Sequence, residues 1–339
     1  MSAQKQSKPS WKQLCESFPR VPRGFEVTTP GSEPLDAYER PVIALDFSPD
    51  SRLVAMSGGG RIPGPATIRV CDAKDGSVLH VCSYHSMGVF DVSYHPSTGL
   101  LASSSHDYAV VVWNPKKSDA IFVVGGPWAG VSRSSSRFFG GSLYVGDGMT
   151  WEDNRACLTA HDLATGEATP LVEFEEGDGV SHMCLSPDQK TLVVAADSQR
   201  GSHDNTELLV LSRDGAVRRR LGLPHVLFAL TALKKNRLAL VVSPTDEAFE
   251  LRLIDAKTGK VERSRHLGSD VSGSLSRSPD GRRILLGYGS SLRVLDAASL
   301  KELAAYEMEN KCCSVAWSPD GKRLAAGTQT GGLELFAAP

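Results

Sequence analysis

The feature that most limits what this chain can fold into is a hairpin signature that keeps returning. FSPDSRLVAM begins at Phe47, and close copies follow as LSPDQKTLVVAA at Leu185, RSPDGRRILLG at Arg277 and WSPDGKRLAAG at Trp317, with a looser version, YHPSTGLLASS, at Tyr94. Each joins two apolar strands through a Pro-Asp or Pro-Ser turn, which is hairpin chemistry because these residues preset the turn dihedrals. A second mark follows each hairpin: IRVCDAKDG, VVVWNPKK, LTAHDLATG, LVLSRDG, LRLIDAKTG, LRVLDAASL and the closing LELFAAP. Each is a short alternating strand running into a polar turn. The last apolar positions before these turns are Cys71, Trp113, His161, Leu211, Ile254, Leu295 and Phe336, at intervals of 41 to 50 residues. Units of this kind, with four short strands each, cannot bury their faces singly and must stack.

In its period and in both marks the chain resembles the WD40-repeat family over about nine tenths of its length. The resemblance implies an all-β fold, a seven-bladed β-propeller of four-stranded antiparallel blades spanning residues 33–339, with residues 1–32 as an N-terminal extension. The last unit stops after its third strand. The family pattern therefore implies a ring closed by an N-terminal strand, with PLDAYERP, Pro34 to Pro41, as the strand lent and GFEVTTP, Gly24 to Pro30, as the alternative. Closure removes the free sheet edge that an open array would expose.

The stretch SSSHDYAVVVWNP, Ser103 to Pro115, carries the residue types of a hydrolase. In the family it resembles, a histidine before the first strand, a serine on the second, an aspartate in the next turn and a tryptophan on the third form a hydrogen-bonded tetrad. The matching positions are His85, Ser103, Asp107 and Trp113. A catalytic serine would need an exposed hydroxyl beside a base and an oxyanion hole, and no GxSxG elbow occurs. The tetrad is thus expected to be structural, and no catalytic residue is expected. His106, outside the tetrad pattern, is expected on the rim as a contact residue. No other unit carries all four residues, so the remaining blades must be held mainly by apolar burial. His161 and Asp162 fill the same slot as Trp113 and Asn114 and read as scaffold. His161, His182 and His203 recur at equal spacing but fall at a third-strand end, inside a first strand and in a loop, so they should not converge on a metal.

Hydrophobic residues make up 41% of the chain and charged ones 22%, enough apolar material for a full core. A formal net charge of −2 gives no reason to expect nucleic acid or an anionic membrane as a partner. No apolar run approaches the roughly 20 residues of a membrane helix, and MSAQKQSKPSWKQ lacks the apolar core of a signal peptide, so a cytoplasmic protein is expected. Cys15, Cys71, Cys82, Cys157, Cys184, Cys312 and Cys313 show no metal-ligand spacing. They are expected as reduced, mostly buried thiols, with no metal and no cofactor.

Function is therefore expected in loops. Those joining second to third strands are long at Ser57 to Thr67, Gly146 to Ala156 and Ala196 to Glu207, on the face the family uses as its top. Trp128 and Trp151, with His106, Glu152 and Asp153, are the expected partner-binding residues. The two tryptophans could instead pack an inserted loop onto its blade. A basic patch, Arg218, Arg219, Arg220, Lys234 and Lys235, reads either as solvated surface or as a docking site for an acidic partner or nucleic acid. The expected function is a non-catalytic scaffold binding a protein or peptide through top-face loops. The alternative is a propeller-type, lactonase-like hydrolase working at the central channel, for which the first strands offer Asp46, Asp91, Arg133 and His182.

Overall fold

The computed structural model describes residues 41–58, 66–125, 133–148, 155–198, 205–245 and 248–339. Its 27 strands form seven antiparallel sheets, six of four strands and a last one of three among the described residues. In every sheet the strands follow chain order from the channel outward. Blade 2 is typical, with Val89–Tyr94 innermost, then Leu101–Ser105, Ala109–Asn114 and Asp119–Gly125. The other inner strands are Val42–Phe47, Arg133–Phe139, Asp178–Leu185, Val226–Ala232, Val271–Arg277 and Cys312–Trp317. Both segments weighed as the lent strand fall almost wholly outside the described residues. Among those described, blade 7 meets blade 1 side by side. Phe47 and Val54 share an apolar cluster with Ala316 and Ala325, and the Ser314 hydroxyl donates to the Val42 carbonyl at 2.5 Å.

The period-2 alternation of the strands is what turns sheets into a ring. On the third strand of blade 2, Val111 and Trp113 join a cluster shared with blade 1, while Val110 and Val112 join one shared with blade 3. Both faces of this third strand are therefore buried, whereas the outer strands, such as Glu302–Glu307, show mostly exposed residues. Close approach between blades fixes some positions as glycine. A Cβ on Gly146 in blade 3 would lie 2.5 Å from Val180 Cγ1 in blade 4. Gly146→Ala is expected to cost about 1–3 kcal/mol, because a packed seam cannot absorb a methyl without displacing strands. Chemical denaturation compared with wild type checks this.

The repeated Ser-Pro-Asp turn is a hydrogen-bonded unit. In blade 1 the Ser48 hydroxyl donates to Asp50 at 2.6 Å and accepts from the Leu53 amide at 2.9 Å. The same bonds recur at Ser186, Ser278 and Ser318. The serine hydroxyls hold the carboxyls of Asp50, Asp188 and Asp280 below the usual range. The residue after each aspartate turns left-handed, with φ of 60° at Ser51, 53° at Gln189, 65° at Gly281 and 77° at Gly321.

The long loops read from sequence are shorter in the structure. In blade 4 the strands run out to Ser198 and back from Asn205, pairing Asp197 with Thr206, whose hydroxyl donates to the carboxylate at 2.7 Å. Polar residues that look like loop from composition extend the ladder because their side chains pair across it.

Candidate functional site at the channel mouth

Strand order puts the loops between second and third strands at the same end as those leading into each inner strand. Inner strands therefore start at this top end and finish at the Pro-Asp turns below. Near the top of every inner strand the register slips. At the single-residue slips the extra residues are Ile43, Phe90, Ser134, Ser181, Phe228 and Cys313. A bulge re-aims a side chain from the ladder, so the ring presents a set of residues around the mouth that simple alternation would not predict. Phe228 is 37% exposed and packs edge-to-face on Phe249, with ring centroids 4.8 Å apart.

Below this rim lies a cavity of about 450 Å³, lined among others by Ile43, Phe90, His106, Ser181, His182 and Asp197. His106 stands edge-on to Phe90, 5.6 Å between centroids. It thus lies at the channel mouth rather than out on the rim of blade 2. Trp128, Trp151, Glu152 and Asp153 lie outside the described residues, as do His203 and the side chain of Arg133.

The channel carboxylates are already engaged. Asp46 accepts the Tyr94 amide of the next blade at 2.7 Å, and Asp91 accepts the Ser135 hydroxyl at 2.7 Å and the Ser136 amide at 3.1 Å. Serines do the same between blades 6 and 7, where Ser274 and Ser276 accept the amides of Val315 and Trp317, each at 3.0 Å. Inner strands are sheet edges, and these side chains satisfy edge amides that would otherwise be orphaned. Arg137 pairs with Asp91 at 2.5 Å. Burial opposes its charge, but Asp91 more than restores it and the guanidinium titrates above its ordinary range. Burial pushes His182 below its ordinary value, and its Nδ1 has no hydrogen-bond partner among the described residues. No group of three or more His, Cys, Asp or Glu that could hold a metal ion occurs among the described residues. Cysteines 71, 82, 157, 184, 312 and 313 are all free. Burial pushes the thiols of Cys82, Cys184 and Cys312 up to about 12, which leaves them protonated and poorly nucleophilic.

In blade 2, His85, Ser103, Asp107 and Trp113 meet. His85 Nδ1 lies 3.0 Å from Asp107 Oδ2, His85 Nε2 lies 2.8 Å from Ser103 Oγ, and Trp113 Nε1 donates to the same oxygen at 2.8 Å. With the carboxylate fixing the proton on Nδ1, Nε2 accepts from the serine. This is the hydrogen-bond order of a catalytic triad, yet Ser103 has 0% exposure and the indole occupies its lone pair. No substrate reaches it. The relay holds the end of blade 1's outer strand, Val78–His85, against the interior of blade 2. His161 is buried against Phe122, and Asp162 caps its own turn by accepting the amides of Ala164 and Thr165.

The basic patch is neutralised in part, two of its five residues being paired within blade 4. Arg218 reaches Asp214 at 2.9 Å and Arg220 reaches Glu207 at 2.7 Å, while Arg219, Lys234 and Lys235 are exposed. No helix among the described residues is long and apolar enough to cross a membrane.

Seven radial antiparallel sheets around a ligand-sized channel, tied by buried polar relays, define a β-propeller of the repeat type. The family model of the WD domain, G-beta repeat, matches residues 76–114 and 299–334. A search of curated proteins finds no match for the chain. The chain is a WD40-repeat protein. Each matched segment starts near one blade's outer strand and ends in the third strand of the next, so a sequence repeat straddles two blades.

Proposed function

We propose that this propeller is a non-catalytic scaffold that binds a protein or peptide partner across the top of its channel. The observation that carries the reading is the bulge-built mouth, where Ile43 and Phe90 line a cavity of about 450 Å³ and Phe228, bulged from its own inner strand near the same end, is exposed. Aromatic anchors beside a preformed concavity are what peptide side chains dock into. The engagement of Asp46 and Asp91 in inter-blade bonds supports a binding role over hydrolysis at the channel. The top-face loops with Trp128 and Trp151 belong to the same proposal, as does a cytoplasmic setting, which the free thiols fit. Photo-crosslinking groups placed at His106 and Phe228, with Lys117 on the opposite face as control, test it in source-cell extract. A partner should crosslink from the two top positions and be lost on Phe90→Ala. Crosslinks from Lys117 alone would overturn the reading.

A further inference from the structure

The lower end of the channel holds a second cavity of about 450 Å³, lined by the ends of the inner strands and by five turn prolines. The last residue of each inner strand, or in blade 3 the one before it, pairs across to an apolar residue of the second strand, at Val54, Leu101, Leu143, Leu192, Leu238, Ile284 and Leu324. In six blades that residue is Phe47, Tyr94, Phe138, Leu185, Ala232 or Trp317, uncharged and largely buried. In blade 6 it is Arg277. Its guanidinium is half-buried in the lower cavity and makes no hydrogen bond or ion pair among the described residues, and Cys184 is the ionisable neighbour it faces. Burial lowers its affinity for its proton. Thr231, 7% exposed, lines the same cavity with a hydroxyl that has no hydrogen-bond partner among the described residues. A cation placed where the repeat calls for a hydrophobe, beside an unused donor in a ligand-sized space, is costly for folding alone.

We propose that this lower vestibule binds a carboxylate, with the Arg277 fork and the Thr231 hydroxyl as its donors. The other charges facing the space are Asp46, Arg137 and, behind it, Asp91. Arg137 and Asp91 cancel one another, which leaves Arg277 and Asp46 as the unbalanced charges lining the cavity and suits a monoanion rather than a phosphate dianion. Leu275, Leu230 and Trp317 offer an apolar wall for the body of the acid. The source is a small organic acid or the terminal carboxylate of a peptide.

Titration of the full chain with benzoate and with its neutral analogue benzamide, followed by calorimetry, tests the site. Benzoate should bind more tightly than benzamide, and Arg277→Leu should abolish the difference while melting no lower than wild type, since it restores the repeat's own residue type. The Asp46 carboxyl titrates at about 6, so its charge opposes the ligand above that pH and is relieved below it. Benzoate affinity should rise on the order of tenfold from pH 7.5 to 5.5, and Asp46→Asn should give the tight value at both. A heptapeptide ending in a free leucine carboxylate, set against its amide, separates the two sources. Preference for the free peptide over benzoate assigns the site to a chain end, and the reverse assigns it to a small acid. If neither acid binds better than its neutral analogue, or if Arg277→Leu binds both as wild type does, the proposal is wrong.

Discussion

Asp107→Ala is expected to destabilise the protein by about 3–5 kcal/mol, the largest effect of any single substitution considered. The carboxylate is 6% exposed and takes His85 Nδ1 at 3.0 Å, the Ser86 amide at 2.9 Å and the Ala109 amide at 3.1 Å. Alanine leaves all three donors in a site that water does not reach, and the cost of unmet buried donors exceeds the net worth of the bonds themselves. Ser103→Ala should cost less, about 1–3 kcal/mol, because it strands one indole N–H and one imidazole nitrogen. Urea denaturation of both variants measures the order. Equal losses would mean that the blade depends on the serine as much as on the carboxylate. Burial works against the Asp107 charge, but the bonds from His85 and the two amides outweigh it and hold its carboxyl below the ordinary range. Its contribution is therefore full above the unfolded carboxyl value near 3.9 and is lost as pH falls through the lower folded value. Asp107→Ala should flatten that part of the acid limb.

Asp46→Asn is expected to act in the opposite direction. Burial holds the Asp46 carboxyl at about 6, even though the Tyr94 amide and Arg137 favour its ionised form. The folded protein thus binds a proton between about pH 4 and 6 that the unfolded chain releases, and stability falls as pH rises through that window. Above it the penalty is constant. A rise from 3.8 to about 6 corresponds, with solvent screening allowed for, to about 2 kcal/mol. Asparagine keeps an oxygen for the Tyr94 amide and carries no charge, so the variant should be more stable at pH 7.5 by about that amount and level with wild type near pH 4. Thermal melts across the range decide it. A variant less stable at pH 7.5 would show that the Asp46–Arg137 attraction outweighs burial.

The fold was legible because its two repeated marks are local: a serine-capped Pro-Asp turn and an alternating strand ending in a polar turn both leave their chemistry in consecutive residues. The blade 2 tetrad was legible for a different reason, as one complete copy of the pattern survives at His85, Ser103, Asp107 and Trp113. The mouth was not. Bulges at Phe90 and Phe228 come from a register slip between strands, and nothing in VFDVSY or VLFALT marks the residue that leaves the ladder. Arg277 did carry a signal, since RSPD stands beside FSPD, LSPD and WSPD, but its meaning depends on knowing that this column faces a cavity. The inter-blade bonds of Asp46 and Asp91 were hidden because they join residues 44 to 48 positions apart across a sheet edge.

The relay in blade 2 also reaches backward. His85 is the last residue of blade 1's outermost strand, whose other end exposes Val78 and Leu79. That strand is the blade's open margin, the part of a sheet most ready to fray and recruit another chain. Damage to Asp107 or Ser103 would therefore surface next door, as a loosened apolar margin on blade 1, and self-association of the weakened protein should begin there.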